Sequence, residues 1–291
     1  MNKKCIILIN AYADKRGTRQ TKRLTEELAV LGISAEVRTN DRFPLCVRDG
    51  KIEIEDFDCD FCVYLDKDKY IAAMLEKNGV KLFNGATAIE LCDDKMLTHI
   101  ALSNSGIPMP ETIPGLLCYD PAAPVPAEVI NKVEKKLGYP VIVKHSYGSI
   151  GKGVFKADNR KELTELCEKV KLEEHLFQKY IASSSGKDMR VIVIGGKAIG
   201  AIKRVSDVDF RSNIGLGARA EKTELPDNVK EISERAANLL NLDYCGIDFT
   251  VGDNPLLLEV NSNAYFDAFE AVSGINVARL YAEHIAREIE K

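Results

Sequence analysis

Residues 245–261 constrain the fold of this chain more than any other stretch. Two short segments rich in Val, Ile, Leu and Phe flank the turn-forming sequence Gly-Asp-Asn-Pro, which predicts a hairpin of two antiparallel strands. In that pairing Val251 faces Leu256, and Asp248 lies directly opposite Glu259. The hairpin therefore brings two carboxylates together on one face of a sheet.

The same face is expected to carry a third oxygen ligand, because side chains alternate along a strand and Asn261 projects on the side of Glu259. Two facing carboxylates among apolar neighbours repel each other and need positive charge. A divalent metal would supply it; the alternative is a surface hairpin whose acids are solvated or paired with Lys or Arg. Two carboxylates and one amide are too few for a tight calcium site. They suit magnesium, a role that manganese could also fill, because magnesium keeps waters and shares its coordination with substrate phosphates.

The composition is that of a soluble globular protein. The chain has 291 residues, 45% of them hydrophobic and 29% charged, which is enough for two or three packed layers and more than one domain. Its net charge is -4, with no long basic run and no Trp. The totals therefore indicate neither a nucleic-acid nor a membrane partner.

The start of the chain and the cysteines are typical of a cytoplasmic protein. The apolar run after Lys4 is too short for a secretory signal or a transmembrane helix, and it predicts a first strand. The eight cysteines are scattered through apolar segments, which does not indicate a disulfide framework. Cys59 and Cys62 lie in an apparent strand with no second pair or His cluster nearby, which favours core packing over zinc binding or redox chemistry.

The first part of the chain predicts an open parallel α/β sheet. Helices closed by glycine alternate with apolar strands, which are expected at 4–9, 34–38, 60–65 and 80–83. The first strand is followed by Asn10-Ala-Tyr-Ala and not by GxGxxG. A dinucleotide site of the familiar kind is therefore not expected, and a nucleotide would have to bind elsewhere.

A Pro-rich connector at 107–126 leads into an α+β region. Asp94 is expected to cap a helix over 95–105, and a helix over 127–137 ends at Gly138. Beyond these, we expect a helix at 160–171, a strand at 175–181, a helix from Asp227, as its cap, to Asn241, and two helices within 264–290 on either side of Gly274.

The apolar strand at 140–144 runs into a loop that contains Gly148, Ser149, Gly151 and Gly153. Backbone amides of such a loop can approach phosphates closely, although a simple turn between two strands is the alternative. Lys144, at the end of the strand, either reaches solvent or holds phosphate oxygens. The loop is not a Walker A motif, because Lys152 is followed by Gly and the motif's first Gly is missing.

Arginines occur in the two segments that follow. A hairpin around a Gly-Gly turn is predicted over 188–204, with Arg190 and Arg204 near its ends. The polar loop after it contains Arg211 and Asn213, and it either closes over an anion or is a solvated loop with incidental charges.

The order of these parts resembles the ATP-grasp superfamily. Within it, four motifs resemble the RimK-type amino-acid ligases: Asp188-Met-Arg190, Phe210-Arg-Ser-Asn213, Gly246-Ile-Asp248 and Leu258-Glu-Val-Asn261. The resemblance implies an N-terminal open parallel α/β domain over 1–92, followed by a two-subdomain ATP-grasp fold. Its central subdomain would cover 93–181 and its C-terminal subdomain 182–291.

The resemblance also implies a role for each candidate residue. ATP would lie between the two α+β subdomains, bound by Lys95, Lys144, Gly148, Ser149, Gly151, Gly153, Gln178, Lys179, Tyr180, Ile181 and Asp188. Magnesium would lie on Asp248, Glu259 and Asn261. The transferred phosphoryl group or the carboxylate substrate would face Arg190, Arg204, Arg211 and Asn213.

The implied reaction phosphorylates a carboxylate to an acyl phosphate, which an amine attacks to give an amide, ADP and phosphate. The carboxylate would belong to a small molecule, a peptide or a protein C-terminus, and the amine to glutamate or another amino acid. Subunits of the family often associate into homo-oligomers. A small-molecule kinase on the same scaffold and a nucleotide-binding module without turnover are the alternatives.

One turn departs from the family pattern. RimK-type enzymes usually follow Glu-Val-Asn with Ser-Pro-Gly, whereas this chain has Ser262-Asn263-Ala264-Tyr265-Phe266. That turn lies beside the acceptor pocket in the family, so the identity of the amine is left open. Tyr265 and Phe266 are expected to fill the pocket or to stack on a substrate.

Overall fold

The computed structural model describes residues 3–291 except for the side chain of Arg16, and its first sheet lies at the N-terminal end of that range. Met1 and Asn2, with which the predicted first domain begins, lie outside the described residues. The sheet has the order β2-β1-β5-β6 with every pairing parallel, which confirms the predicted open α/β sheet. The elements of this part are β1 (Lys4–Ile9), α1 (Lys15–Val30), β2 (Ser34–Thr39), β3 (Leu45–Arg48), β4 (Lys51–Ile54), β5 (Phe61–Leu65), α2 (Lys69–Lys77), β6 (Leu82–Phe83) and α3 (Ala86–Asp93).

Two elements of this part have no counterpart in the sequence prediction: helix α3 and the antiparallel hairpin β3–β4. The strands of the hairpin are only four residues long, and a tertiary contact supports them, since the rings of Phe43 and Phe57 lie 4.7 Å apart. Local periodicity cannot reveal so short a unit. The strand expected at 80–83 is also shorter than predicted, because β6 covers only Leu82–Phe83.

The second sheet lies in the middle of the chain and has the order β7-β10-β8-β9. Asp94 caps α4 as predicted, accepting hydrogen bonds from the backbone N–H groups of Met96 and Leu97. The helix ends at Ala101 and not at residue 105, because the chain turns there and Asn104 adopts a left-handed conformation with φ 57°. The elements are α4 (Lys95–Ala101), β7 (Thr112–Pro114), α5 (Ala127–Leu137), β8 (Val141–His145), β9 (Val154–Ala157), α6 (Arg160–Val170) and β10 (His175–Lys179).

The third sheet is antiparallel and has the order β13-β12-β11-β14-β15. Strand β13 was not predicted. Asp227 does not cap α7 as expected, because Pro226 occupies the capping position and Asp227 lies in the first turn, where its charge favours the helix dipole. The elements are β11 (Lys187–Ile194), β12 (Lys197–Val205), β13 (Arg219–Lys222), α7 (Asp227–Leu239), β14 (Tyr244–Phe249), β15 (Leu257–Asn261), α8 (Asp267–Ser273) and α9 (Val277–Ile289).

The acidic hairpin β14–β15 forms with one change of register. Asp248 pairs with Glu259 as predicted, but the next pair is Phe249 with Leu257, so β15 contains a bulge. Leu256 is therefore paired with Thr250, because the Thr250 N–H donates to the Leu256 carbonyl at 2.9 Å. The predicted pairing of Val251 with Leu256 is wrong. A bulge inserts one residue on one strand, which pattern reasoning from the turn outward does not detect.

One hydrophobic cluster joins the two ends of the chain. It packs Ile7 of β1 and Leu24 of α1 against Phe266, Tyr281 and other residues of the C-terminal region. The middle sheet has a separate cluster, which contains Val143, Phe177 and neighbours from the same part of the chain. The first and third sheets therefore share a core, while the boundaries at 92 and 181 stay predictions.

The cysteines are packing residues with free thiols. All eight are unpaired, and burial raises the pKa of Cys62 well above its ordinary value. Burial also raises the pKa of Cys59, to about 11. Neither thiol of the CxxC pair is therefore available as a thiolate at neutral pH.

Asn84 ties the first and third sheets together. Its amide donates to the carbonyls of Tyr244 and Ser262 at 2.8 and 2.9 Å, and its oxygen accepts from the N–H groups of Asp243 and Tyr244 at 2.7 and 3.0 Å. The side chain is fully buried. These bonds satisfy four backbone groups of residues 243, 244 and 262.

We expect Asn84→Ala to lower the free energy of unfolding by about 2–3 kcal/mol, because it leaves buried backbone donors and acceptors unpaired. Urea denaturation followed by circular dichroism measures the change. Asn131→Ala, at an exposed position of α5, is the control and should change stability by less than about 0.5 kcal/mol. Equal stability of the two variants would contradict this role of Asn84.

Candidate functional site

The predicted site residues line two adjoining cavities. The first is an open cleft between the second and third sheets. It is lined by every predicted site residue except two, namely Lys95, Lys144, Gly148, Ser149, Gly151, Gly153, Gln178, Lys179, Tyr180, Ile181, Asp188, Arg204, Arg211, Asn213, Asp248 and Glu259. The exceptions, Arg190 and Asn261, line the second cavity.

A buried polar chain occupies one wall of the cleft. The Lys144 ammonium donates to Gln178 Oε1 at 2.6 Å, and Gln178 Nε2 donates to Thr112 Oγ1 at 3.0 Å and to His99 Nε2 at 3.1 Å. Burial lowers the pKa of His99 to about 4, so its ring is neutral and Nε2 accepts. These contacts orient the Gln178 amide. His99 was missed by the sequence analysis, although it follows Lys95 by four residues and so shares its helix face.

The glycine loop between β8 and β9 closes over Lys95. The Lys95 ammonium donates to the Gly148 carbonyl at 2.9 Å, and the backbone N–H of Lys95 donates to Ser146 O at 3.0 Å. Gly148 and Gly151 have φ angles of 123° and 72°, which favour glycine. A Cβ on Gly151 would also lie 2.6 Å from Asn213 Oδ1, so glycine lets this loop approach the third sheet.

The loop after β12 bridges the cleft. Arg211 donates from Nη1 to the Gly151 carbonyl at 2.7 Å and pairs with Asp209 at 2.7 Å. Arg219, at the other end of the loop, pairs with Asp207 and Glu221 on an exposed face and does not reach the cleft. Only the first part of this loop therefore contributes to the site.

A network of two carboxylates and two arginines lies at the base of the cleft. Arg190 donates two hydrogen bonds of 2.7 Å to Asp248, and Arg204 lies 2.8 Å from Asp248 and also bonds both oxygens of Asp188. Ser212 donates a further hydrogen bond to Asp188. Bidentate arginine–carboxylate pairs of this kind are geometrically rigid.

Burial sets the protonation behaviour of this network. Burial raises the pKa of Asp188, although the adjacent Arg204 opposes the shift. Burial alone would also raise the pKa of Asp248, but Arg190 and Arg204 together outweigh it and hold that pKa below its ordinary value. Burial acts to lower the pKa of Arg204, and Asp248 and Asp188 reverse the effect, so the guanidinium stays charged.

Arginines therefore balance the charge of Asp248, which was the alternative to a metal ion. Glu259 is different, because its nearest cation is the Lys95 ammonium at 3.8 Å. In the amide orientation that satisfies its neighbours, Asn261 donates to Glu259 Oε1 at 3.2 Å and accepts from Arg190 Nη2 at 3.3 Å. Glu259 therefore has one amide donor and one distant ammonium to balance its charge, which a bound cation would neutralise more fully.

The donor set fits a metal that takes most of its ligands from elsewhere. Within residues 3–291, no group of three or more His, Cys, Asp and Glu side chains is arranged to hold a metal ion. Glu259 and Asn261, with Asp248 behind them, supply few oxygens, and phosphate oxygens and water would complete the coordination. Magnesium accepts such an arrangement.

The second cavity, with about 2010 Å³ of empty space, lies between the first and third sheets and opens into the cleft. Both cavities are lined by Ser149, Arg204, Asn213 and Glu259. The sequence analysis did not assign its N-terminal wall, where Asn10, Gln20 and Asp66 lie. Asn10 was noted only as part of a sequence that lacks the dinucleotide motif, because nothing local indicates that it meets Asp66, which is 56 residues further along the chain.

Of the two aromatic residues in the turn after β15, only Tyr265 lines this cavity. Tyr265 lines it and lies near Gly17 of α1, so the expectation that it fills part of a pocket agrees with its position. Phe266 is fully buried and packs edge-to-face against Tyr244, with ring centroids 6.4 Å apart. The expectation that Phe266 lines the pocket is therefore wrong, since it belongs to the core.

The fold and the paired cavities define an ATP-grasp protein. The chain superimposes on a structure of the ATP-grasp ligase PsnB with its minimal precursor, Mg and ADP, with a TM-score of 0.69 and 19% identity over 98% of this chain and 97% of that chain. A family model described as a RimK-like ATP-grasp domain matches residues 92–285. The chain therefore belongs to the RimK-like ATP-grasp family, as its motifs predicted.

Similar proteins of named activity are synthases of glutamate-containing compounds. The chain is 35% identical over 226 residues to N-acetylaspartylglutamate synthase A of Homo sapiens, which covers 76% of this chain and 56% of that protein. It is 34% identical over 228 residues to beta-citrylglutamate synthase B of Homo sapiens, which covers 77% of this chain and 58% of that protein. The chain thus spans little more than half the length of these relatives. No helix within residues 3–291 is long and apolar enough to cross a membrane.

Proposed function

We propose that the protein is an ATP- and magnesium-dependent ligase that joins a carboxylate to an amine through an acyl phosphate. The observation that carries the proposal is the meeting of two cavities at Arg204, Asn213 and Glu259. A ligase of this kind needs a nucleotide and a carboxylate in contact at one point, with room for an amine beside it. A nucleotide-binding module has no need of the second cavity.

The chain's own residues suit the phosphoryl transfer. Lys144 and Lys95 lie where they can neutralise phosphate oxygens, and the amides of the glycine loop can approach them. Arg190 and Arg204 are held in fixed orientations by Asp248 and Asp188, so they offer preorganised positive charge to the carboxylate and the transferred group. Glu259, Asn261 and Asp248 would hold magnesium, which would supply positive charge to neutralise the phosphate oxygens.

The proposal extends to the identity of the two substrates. The names of the similar synthases favour glutamate as the amine, joined to a small acid, and a PsnB complex with a precursor peptide favours a peptide as another type of substrate. A protein C-terminus would fit the same open cavity. A cytoplasmic location and self-association belong to the proposal as well.

The test is ADP release with ATP and magnesium across a panel of carboxylates, each with and without glutamate and other amino acids. Hydroxylamine serves as the acyl-phosphate trap, and mass spectrometry identifies the products. We expect ADP release that requires both a carboxylate and an amine, together with hydroxamate formation. Turnover without an amine that gives a stable phosphorylated product and no hydroxamate would replace the ligase with a kinase.

Nucleotide affinity should fall as the pH rises above about 8. Burial lowers the pKa of Lys144 from 10.5 to about 8, so its charge is present at neutral pH and is lost as the pH rises through that value. We expect the Kd for ADP with magnesium, measured by calorimetry, to increase severalfold between pH 7 and pH 9.5. Lys144→Arg keeps its charge over this range and should flatten the profile. A wild-type profile as flat as that of the variant would contradict a phosphate-binding role.

A further inference from the structure

The first sheet changes winding direction between β1 and β5. These strands are neighbours, and the chain continues from β1 to β2 on one side and from β5 to β6 on the other. In open α/β sheets, ligands bind beyond the carboxyl ends of the strands at such a switch point. Asn10 directly follows β1 and Asp66 directly follows β5, and both line the second cavity.

Asp66 is a buried carboxylate whose charge has no cationic partner. It is 5% exposed and accepts hydrogen bonds from Asn10 Nδ2 at 3.1 Å, Asn40 Nδ2 at 2.9 Å and its neighbour's backbone N–H at 2.7 Å. All three donors are neutral. The Lys67 ammonium is engaged elsewhere, 2.8 Å from Asp93, and among the side chains that the structure describes no Lys, Arg or His forms an ion pair with Asp66.

Two amide oxygens at the same cavity lack a donor. Asn263 donates from Nδ2 to the Leu65 carbonyl at 2.6 Å, which fixes its amide so that Oδ1 can only accept, and Oδ1 is buried and unpaired. Gln20 of α1 is 2% exposed, and its Oε1 is also unpaired. Both residues line the second cavity. An unpaired buried acceptor is costly, so a ligand donor that reaches it after a small side-chain rotation is favoured.

We propose that Asp66, Asn263 and Gln20 form a subsite for the ammonium group of a substrate. An ammonium carries the positive charge that Asp66 lacks and the several donors that the two oxygens require. The inference rests on the proposed ligase activity and refines it. At least one substrate is an amino acid or a peptide with a free amine, and this amine anchors the molecule while its other end reaches the junction with the nucleotide cleft.

The test compares ligands that differ only in the amine, with and without a non-hydrolysable ATP analogue. Calorimetry measures the binding of L-glutamate against glutarate, L-aspartate against succinate, and L-alanyl-L-glutamate against its N-acetyl derivative. We expect at least one amine-bearing member to bind about tenfold or more tightly than its partner. No preference for the amine in any pair would overturn the proposal.

Two variants assign the preference to these residues. Asp66→Asn removes the charge at nearly constant shape and should weaken the amine-bearing ligand about tenfold, while the amine-free partner changes less than about twofold. Gln20→Met should weaken the same ligand severalfold without lowering thermal stability, because it removes an unpaired polar group. Thr25→Val is the matched control, since Thr25 Oγ1 is a buried, unpaired hydroxyl oxygen on the same helix that lines neither cavity. An equal loss for both members of a pair would overturn the proposal.

The outcomes separate this proposal from the ligase itself, because binding is measured without turnover. Amine-selective binding that depends on Asp66, without ADP release, would support the subsite and remove the ligase. ADP release together with equal binding of ligands with and without the amine would support the ligase and overturn the subsite.

Discussion

Glu259→Gln is expected to reduce ATP turnover by about 10²–10³-fold at saturating substrates, because it removes one negative charge from the site proposed for magnesium at nearly constant shape. The residual activity should require a higher magnesium concentration, since the remaining ligands, Asp248 and Asn261, hold the ion less tightly. ADP release measured across a magnesium titration provides both readings. The free protein should stay folded, because Glu259 makes only one distant ion pair, with Lys95.

Glu231→Gln is the control for this experiment, because Glu231 is exposed on α7 and lines neither cavity. It should keep wild-type turnover and magnesium dependence. If Glu259→Gln also turned over at near wild-type rate, the assignment of the metal to this hairpin would be wrong.

Arg204→Met is expected to lower the free energy of unfolding by about 3–5 kcal/mol. Arg204 is 3% exposed and pairs with both Asp188 and Asp248, so its loss leaves buried carboxylates with too little positive charge. Adding Asp188→Asn should recover part of the loss, because it removes one of the two uncompensated charges. Urea denaturation monitored by circular dichroism gives the values for the single and double variants.

Arg219→Met is the matched control, because Arg219 makes its ion pairs on the exposed face of β13 and should contribute less than about 1 kcal/mol. A similar, small effect of Arg204→Met would show that the network is not buried in the way described. If the double variant is no more stable than Arg204→Met alone, the Asp188 carboxylate does not need Arg204 to balance its charge.

The acidic hairpin illustrates what a sequence can predict. The turn sequence and the alternation of side chains correctly predicted that Asp248 lies opposite Glu259, since the turn and the alternation are local properties of the chain. The motifs also predicted the family, because the order of Lys, Arg and acidic residues along the chain is more specific than any one of them. The cap of α4 by Asp94 followed from the same kind of local chemistry.

The parts that could not be predicted depend on distant contacts. The partner of Asp248 was left open between a metal and basic residues, and only the packing of β11 and β12 beside β14 brings Arg190 and Arg204 onto it. Likewise, no pattern near Asp66 or Gln20 indicates that they line one cavity. Phe266 was wrongly expected at the pocket, because its neighbour Tyr265 points there and a single step along the chain reverses the side.

The separate cores of the molecule determine which parts can move. The first and third sheets share one hydrophobic cluster, so they form a single packed block that supplies most of the lining of the second cavity, to which the glycine loop of the middle sheet adds Ser149 and Ile150. The middle sheet has its own hydrophobic cluster and faces this block across the nucleotide cleft. The hydrogen bond from Arg211 to the Gly151 carbonyl connects the two sides of the cleft. We therefore expect nucleotide exchange to require displacement of the middle sheet, which would also withdraw Ser149 and Ile150 from the lining of the second cavity.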